Sequence, residues 1–349
     1  MKGIKNITIP IPIDRHGHLR KAIMAKRVVP HNNLYSDVIT FGNFADDPVD
    51  DADGLIEYRE FIRNLKPKFK PHFGLMVTSR TTPAIVEEGF YAGAEFLKTM
   101  FVGTTTGSSV GISIDRVEEK YPSYDRAGEL GMPTLWHMER MKDKRGKQIP
   151  LLYREEEAIP DAKKIIHDLP DVKISIEHIS TAVMIETVES AGPNVIGGFT
   201  AHHAFGLYKD VCNKNGELIN PHNLCMPILK RKKDRDAVSR KMTHGDYKKF
   251  RPGTDSAAHW PEAKLEGAPG IFVPDFLVLA LYCQIFEEEG MLHRFGSFVS
   301  CNQTDMDFYG FYQTSETITL VKEEWIVPMK ISGIVPYMAG KKLQWKVKK

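Results

Sequence analysis

Short apolar runs rich in β-branched residues alternate along this chain with segments whose apolar positions recur at helical spacing. The runs fall at 7–13, 36–43, 73–78, 94–101, 132–137, 172–178, 195–203 and 250–255, which predicts eight strands. The segments between them predict helices over 50–65, 83–93, 114–130, 155–169, 181–191 and 234–242. In the 83–93 helix Pro83 stands near the start and Gly93 at the end, while Pro122 must reset the 114–130 helix. An apolar helix over 276–289 and a tail strand over 342–347 follow. Strands alternating with helices in this way predict an α/β fold, specifically a (β/α)8 TIM-like barrel. The 349 residues suit one such barrel as a single domain over 1–349, with the tail packed against it.

The polar residues at the ends of these runs carry the chemistry. His16 and His18, Lys98, His137, His178, His203 and Asp255 stand at the C-terminal ends of six predicted strands, the face on which barrel active sites lie. In a strand, residues two apart share a face, so His16 and His18 can aim two imidazoles at one point, with Gly17 leaving room between them. An isolated His-x-His reads first as a solvated pair, and an isolated strand lysine as half of a buried ion pair. The convergence of all these positions at one barrel end favours a metal centre instead. One ion could take His16, His18 and Asp255, and a second His137 and His178. Lys98 cannot bridge them as an ammonium, which has no lone pair. Burial beside cations would release its neutral amine to take up carbon dioxide, and the resulting carbamate is an anionic bridge. Paired ions lower the pKa of a shared water toward ~7. Hydrolysis at an amide-like carbonyl, or its reverse, is the reaction such a centre supports, with Asp255 moving the proton.

Composition narrows the partners. The 47 basic and 45 acidic residues leave a net charge of +2, which supplies no field for nucleic acid or a membrane surface. No run approaches the ~18 apolar residues of a membrane span, and the N-terminus shows no secretory pattern. Cys212, Cys225, Cys283 and Cys301 have no CxxC spacing, so reduced thiols and a cytoplasmic location are expected.

The order His-x-His, strand Lys, His, His, Asp resembles that of the metal-dependent amidohydrolase superfamily. More narrowly, the chain resembles the bacterial-type dihydroorotases. The matching segments include Asp14-Arg15-His16-Gly17-His18-Leu19-Arg20, Leu135-Trp136-His137-Met138-Glu139 and Ile176-Glu177-His178-Ile179-Ser180-Thr181. Three more follow in the family's order: Met226-Pro227-Ile228-Leu229-Lys230-Arg231, Gly253-Thr254-Asp255-Ser256-Ala257-Ala258-His259 and Val335-Pro336-Tyr337-Met338-Ala339-Gly340. The resemblance implies reversible closure of N-carbamoyl-L-aspartate to L-dihydroorotate in pyrimidine biosynthesis. It also implies two zinc ions bridged by carboxylated Lys98, with His16, His18 and Asp255 on one and His137 and His178 on the other. Asp255 is then base and acid, and Arg20, Asn43 and His259 hold the α-carboxylate. Met226 and Ala268 meet the ring through backbone groups, Thr105 and Thr106 close over the substrate, and the enzyme is a homodimer. His203 matches a family histidine that is not a metal ligand, and its neighbour His202 is read as supporting or structural. Lys21, Gly42 and Gly107 depart from the usual residues at their positions.

Two rivals remain at this point. A dihydropyrimidinase, hydantoinase or allantoinase would share the metal residues but has no use for Arg20, Asn43 and His259 as carboxylate ligands. A non-catalytic barrel partner has no use for the intact ligand set. The Gly-rich loop over 103–109 lacks the Gly-Lys-Ser/Thr ending of a phosphate cradle.

Overall fold

The computed structural model describes residues 4–348 and contains the expected barrel. Its staves are β2 (Asp14–Gly17), β3 (Asp37–Thr40), β4 (Lys70–Phe73), β5 (Leu75–Met76), β6 (Leu97–Met100), β7 (Thr134–His137), β8 (Ile174–Ile176), β9 (Val195–Phe199) and β10 (Phe250–Pro252), all paired in parallel. β4 and β5 are one stave interrupted at Gly74, where a Cβ would lie 2.3 Å from the Phe96 carbonyl oxygen. The ring closes between β10 and β2, because Asp255 N donates to His16 O (2.7 Å) and His18 N to Ser256 O (3.2 Å).

The first predicted strand is corrected. β1 (Asn6–Pro10) is not a stave but pairs antiparallel with β11 (Thr317–Ile326), which pairs in turn with β12 (Lys342–Val347). Pro10 and Pro12 lack the N–H donors that a central strand must supply, so the 7–13 run ends at a sheet edge and the stave begins at Asp14. β12 is the expected tail strand. β11 was not expected, because five of its ten residues are exposed and give it no apolar run.

Other boundaries move for local reasons. β9 ends at Phe199, since Thr200 caps the helix Ala201–Phe205 by accepting from His203 N (3.2 Å), so His203 stands on a helix. Pro122 and Pro160 each sit in the first turn of a helix, Tyr121–Glu129 and Ile159–Asp168, where no donor is lost.

The barrel interior explains why the strand-end residues converge. Ile13, Ile39, Phe41, Phe96, Leu135, Cys301 and Phe311 form one buried apolar cluster that draws on several staves. Side chains two apart share a face, so Lys98 follows Phe96 and His137 follows Leu135 into the barrel axis, one layer nearer its C-terminal mouth. β2 breaks the alternation: Asp14 faces Val38 and Gly17 faces Thr40, so β2 carries one more residue than β3 over this length. That bulge re-aims His16, whose ring lies 4.5 Å from the Phe41 ring.

Below this layer, Arg15 on β2 and Arg251 on β10 both donate to Asp305, on the helix Gln303–Tyr309, and all three side chains are buried. Removing that carboxylate strands two guanidiniums in the interior. Asp305→Ala is therefore expected to cost about 3–5 kcal/mol in denaturant unfolding; a loss below about 1 kcal/mol would show that the cluster relaxes around the gap.

Candidate active site

The six predicted metal-ligating residues, His16, His18, Lys98, His137, His178 and Asp255, line one pocket at the barrel mouth. His16, His18 and Asp255 have ligand atoms within 4.8 Å of one another. Asp255 Oδ1 lies 3.2 Å from His18 Nε2 and 3.5 Å from His16 Nε2. Across the pocket, His137 Nδ1 and His178 Nε2 are 3.1 Å apart. Burial holds His18 down to about 4, and lowers His16 and His178 as well, so these imidazoles present lone pairs rather than charge.

Carboxylates outside the predicted set fix the ring orientations. His16 Nδ1 donates to Glu177 Oε2 at 2.5 Å, and His137 Nε2 donates to Glu139 Oε2 at 2.7 Å. In each ring the other nitrogen is left for an ion, the usual support for a ligating histidine. Sequence reading missed both glutamates, although the signal was available: Glu177 directly precedes His178, and Glu139 stands two residues after His137. Asp14, whose role the sequence left open with a supporting contact as the expectation, accepts from His16 N (3.1 Å), Thr254 N (2.8 Å) and Thr254 Oγ1 (2.7 Å). It thereby ties the bulge carrying His16 to the turn carrying Asp255.

Lys98 is the test of whether the donors fit a bridged metal pair. Its Nζ is buried, has no hydrogen-bond partner among the described residues and sits 4.6 Å from the Phe41 ring centroid. Burial lowers the ammonium to about 8, against an opposing pull from Glu177 and Asp255. An amine without partners, amid histidine nitrogens aimed inward, suits conversion to a ligand better than service in an ion pair. Arg20, His178 and Asp255 also hold left-handed backbone, with φ of 63°, 40° and 45°, so the fold accepts strain to aim these side chains.

The predicted substrate residues surround this centre. Arg20 Nη2 lies 3.0 Å from His259 Nε2, and Arg20 Nε donates to Ala258 O at 2.9 Å. Asn43 accepts from His18 Nδ1 (3.0 Å) and donates to Thr106 O (3.0 Å), which links a ligand histidine to the overlying loop. That loop is closed here: Thr106 Oγ1 donates to Pro269 O at 3.0 Å, and Thr105 and Thr106 line the pocket. Gly107 has φ 75°, and a Cβ there would lie 2.0 Å from Asn43 O, so its departure from the usual residue lets the loop sit directly on Asn43. Met226 lines the pocket, whereas Ala268 does not; its neighbours Pro269 and Gly270 do, and the Ala268 N–H is spent on Ala263 O (2.9 Å).

His202, His203 and Cys225 form a second compact trio of donor atoms. His203 uses both nitrogens within the protein, on Thr200 Oγ1 (2.8 Å) and Pro227 O (2.8 Å), so it is a supporting residue of the Met226 turn.

A parallel barrel with a His-x-His pair, a buried strand lysine, two further histidines and an aspartate at its mouth defines a metal-dependent hydrolase of the amidohydrolase superfamily. Comparison with known proteins narrows this. The chain is 33% identical over 357 residues to the dihydroorotase of Shewanella sediminis, covering 98% of this chain and 99% of that protein. It is 34% identical over 355 residues to the dihydroorotase of Vibrio vulnificus, again covering 98% and 99%. The crystal structure of dihydroorotase from Saccharomyces cerevisiae in complex with 5-fluoroorotic acid superposes with a TM-score of 0.89 at 26% identity, covering 99% of each chain. No family model matches the chain. The chain belongs to the dihydroorotase family, metal-dependent enzymes that act on a cyclic amide. Among the described residues no helix is long and apolar enough to cross a membrane.

Proposed function

We infer that this protein is a dihydroorotase that interconverts N-carbamoyl-L-aspartate and L-dihydroorotate in pyrimidine biosynthesis, working as one barrel domain over 1–349 and as a homodimer. The observation that carries the reading is the meeting, in one pocket, of six metal-type donors with Arg20 and Asn43. His16, His18 and Asp255 would hold one zinc ion, His137 and His178 a second, and carboxylated Lys98 would bridge them. Bound there, such ions supply charge to polarise the carbonyl and to acidify water.

The chain's own residues supply the rest. Asp255 takes a proton from the attacking water and delivers it to the ring nitrogen as the C–N bond breaks; closure runs the same path backwards. Arg20 grips the α-carboxylate, a planar fork against a planar acceptor, with His259 and Asn43 adding donors. Burial beside the Arg20 charge holds His259 at about 2, so it meets the carboxylate as a neutral donor. Thr105 and Thr106 keep water from the bound ring, and Met226 and the Ala268 segment face it with backbone groups.

Turnover of dihydroorotate against dihydrouracil, with metal analysis alongside, tests the reading. A zinc-loaded preparation that hydrolyses only dihydrouracil would replace it with the dihydropyrimidinase-type rival. Arg20→Met is expected to raise KM for dihydroorotate about 10- to 100-fold with a much smaller change in kcat, since it deletes a charge-assisted bond made in ground and transition states alike. An unchanged KM would give Arg20 another role.

A further inference from the structure

Behind one wall of the pocket stands a lysine that no carboxylate neutralises. Lys264, on the helix Pro261–Leu265, is 4% exposed and, among the described residues, has no acidic partner. Its Nζ donates to Leu224 O (2.8 Å), Ala268 O (2.9 Å) and Gly270 O (2.7 Å). An ammonium has three N–H groups, and all three are used.

The acceptors belong to two segments far apart in sequence, the approach to Met226 and the 268–270 turn. Gly270 N closes the same knot by donating to Leu224 O at 2.8 Å. Met226, Pro269 and Gly270 all line the pocket, and the closed loop latches onto Pro269 O through Thr106. Gly270 has no slack: a Cβ there would sit 2.5 Å from Ala257 O and 3.0 Å from His259 Cδ2. Movement of this wall would therefore reach His259. An apolar side chain of similar size could fill the space of Lys264 but would leave the Ala268 and Gly270 carbonyls without their donor and Leu224 O with Gly270 N alone. Burial, with the Arg20 charge adding to it, brings Lys264 down to about 8, and Lys264 in turn helps depress His259. Two cations and an imidazole thus share one corner of the site.

We propose that Lys264 is a positioning residue for substrate binding: it holds the Met226 and Pro269–Gly270 backbone at the spacing a cyclic amide needs, and its uncompensated charge joins that of Arg20 in attracting an anionic substrate. The proposal deepens the dihydroorotase reading and rests on it. The wall is made before and after the chemical step, so its loss weakens ground and transition states together.

Lys264→Met and Lys264→Gln, both zinc-loaded, test this by steady-state kinetics in both directions, with metal content and thermal melting measured on the same samples. The expected result is KM raised about tenfold or more, with kcat within about threefold of wild type and metal content unchanged. Wild-type KM in a folded variant overturns the role. So does a fall in kcat that tracks metal loss, or failure of both variants to fold, which would make Lys264 a determinant of folding instead. Wild-type enzyme inactive on dihydroorotate overturns the underlying functional reading, an outcome distinct from active wild-type enzyme whose variants keep its KM.

Discussion

Lys98→Ala should lose bound metal and turnover together. Lys98 Nζ is buried without a hydrogen-bond partner among the described residues, so its removal breaks no hydrogen bond. A structural lysine of this kind would be replaceable at little cost to catalysis. A carboxylated lysine would not be, because the anion holding two cations together disappears. Loss of several kcal/mol of charge stabilisation corresponds to a fall in kcat of about 10³-fold or more. Metal analysis should show less than the wild-type complement, and added short carboxylic acids should recover part of both metal and activity by occupying the vacated space. Wild-type turnover in the variant would refute the carbamate, and full metal content with low turnover would move Lys98 from bridging to another catalytic task.

The second large effect is expected at Asp255. Its carboxylate faces the nitrogens of His16 and His18, and its backbone N–H is bonded to His16 O, so side chain and main chain are both fixed. Burial alone would push the carboxyl up, but the His18 hydrogen bond and the neighbouring imidazoles hold it well below its usual range. It is therefore ionised and ready to accept a proton at neutral pH. Asp255→Asn keeps the shape and one acceptor oxygen but cannot take up the proton, so kcat should fall about 10²–10⁴-fold in both directions. KM should change far less, since Arg20 and the backbone wall remain. A kcat within tenfold of wild type would require a different base; His137 or His178 would then be the residues to replace next.

Much of this was legible in the sequence, for a physical reason. Strand period and helical spacing are local properties, and a stave buried on both faces must be apolar, so the runs containing Phe96 to Met100 and Thr134 to His137 announced themselves. The period also placed Lys98 and His137 on the faces of Phe96 and Leu135. Where the pattern misled, another local rule was competing: the most strand-like run in the first twenty residues carries two prolines and was displaced by a stave of Asp, Arg, His and Gly. That stave has no apolar pattern because its side chains are all buried for their polar chemistry.

The sequence by itself thus determined the barrel, the histidines, lysine and aspartate at its mouth, and the arginine beside them. Only the tertiary structure decided what supports them. Asp14 and Glu177 act by orienting groups on other strands or turns, and Lys264 acts on one carbonyl 40 residues away as well as on nearby ones. Hydrogen bonds of that kind depend on distances that chain closure sets, and no period or spacing in one dimension encodes them. The opening His-x-His shows the division most directly. Its two imidazoles were readable as a pair, but their convergence comes from a bulge in β2 and from Asp14 holding it against Thr254, both products of the closed barrel.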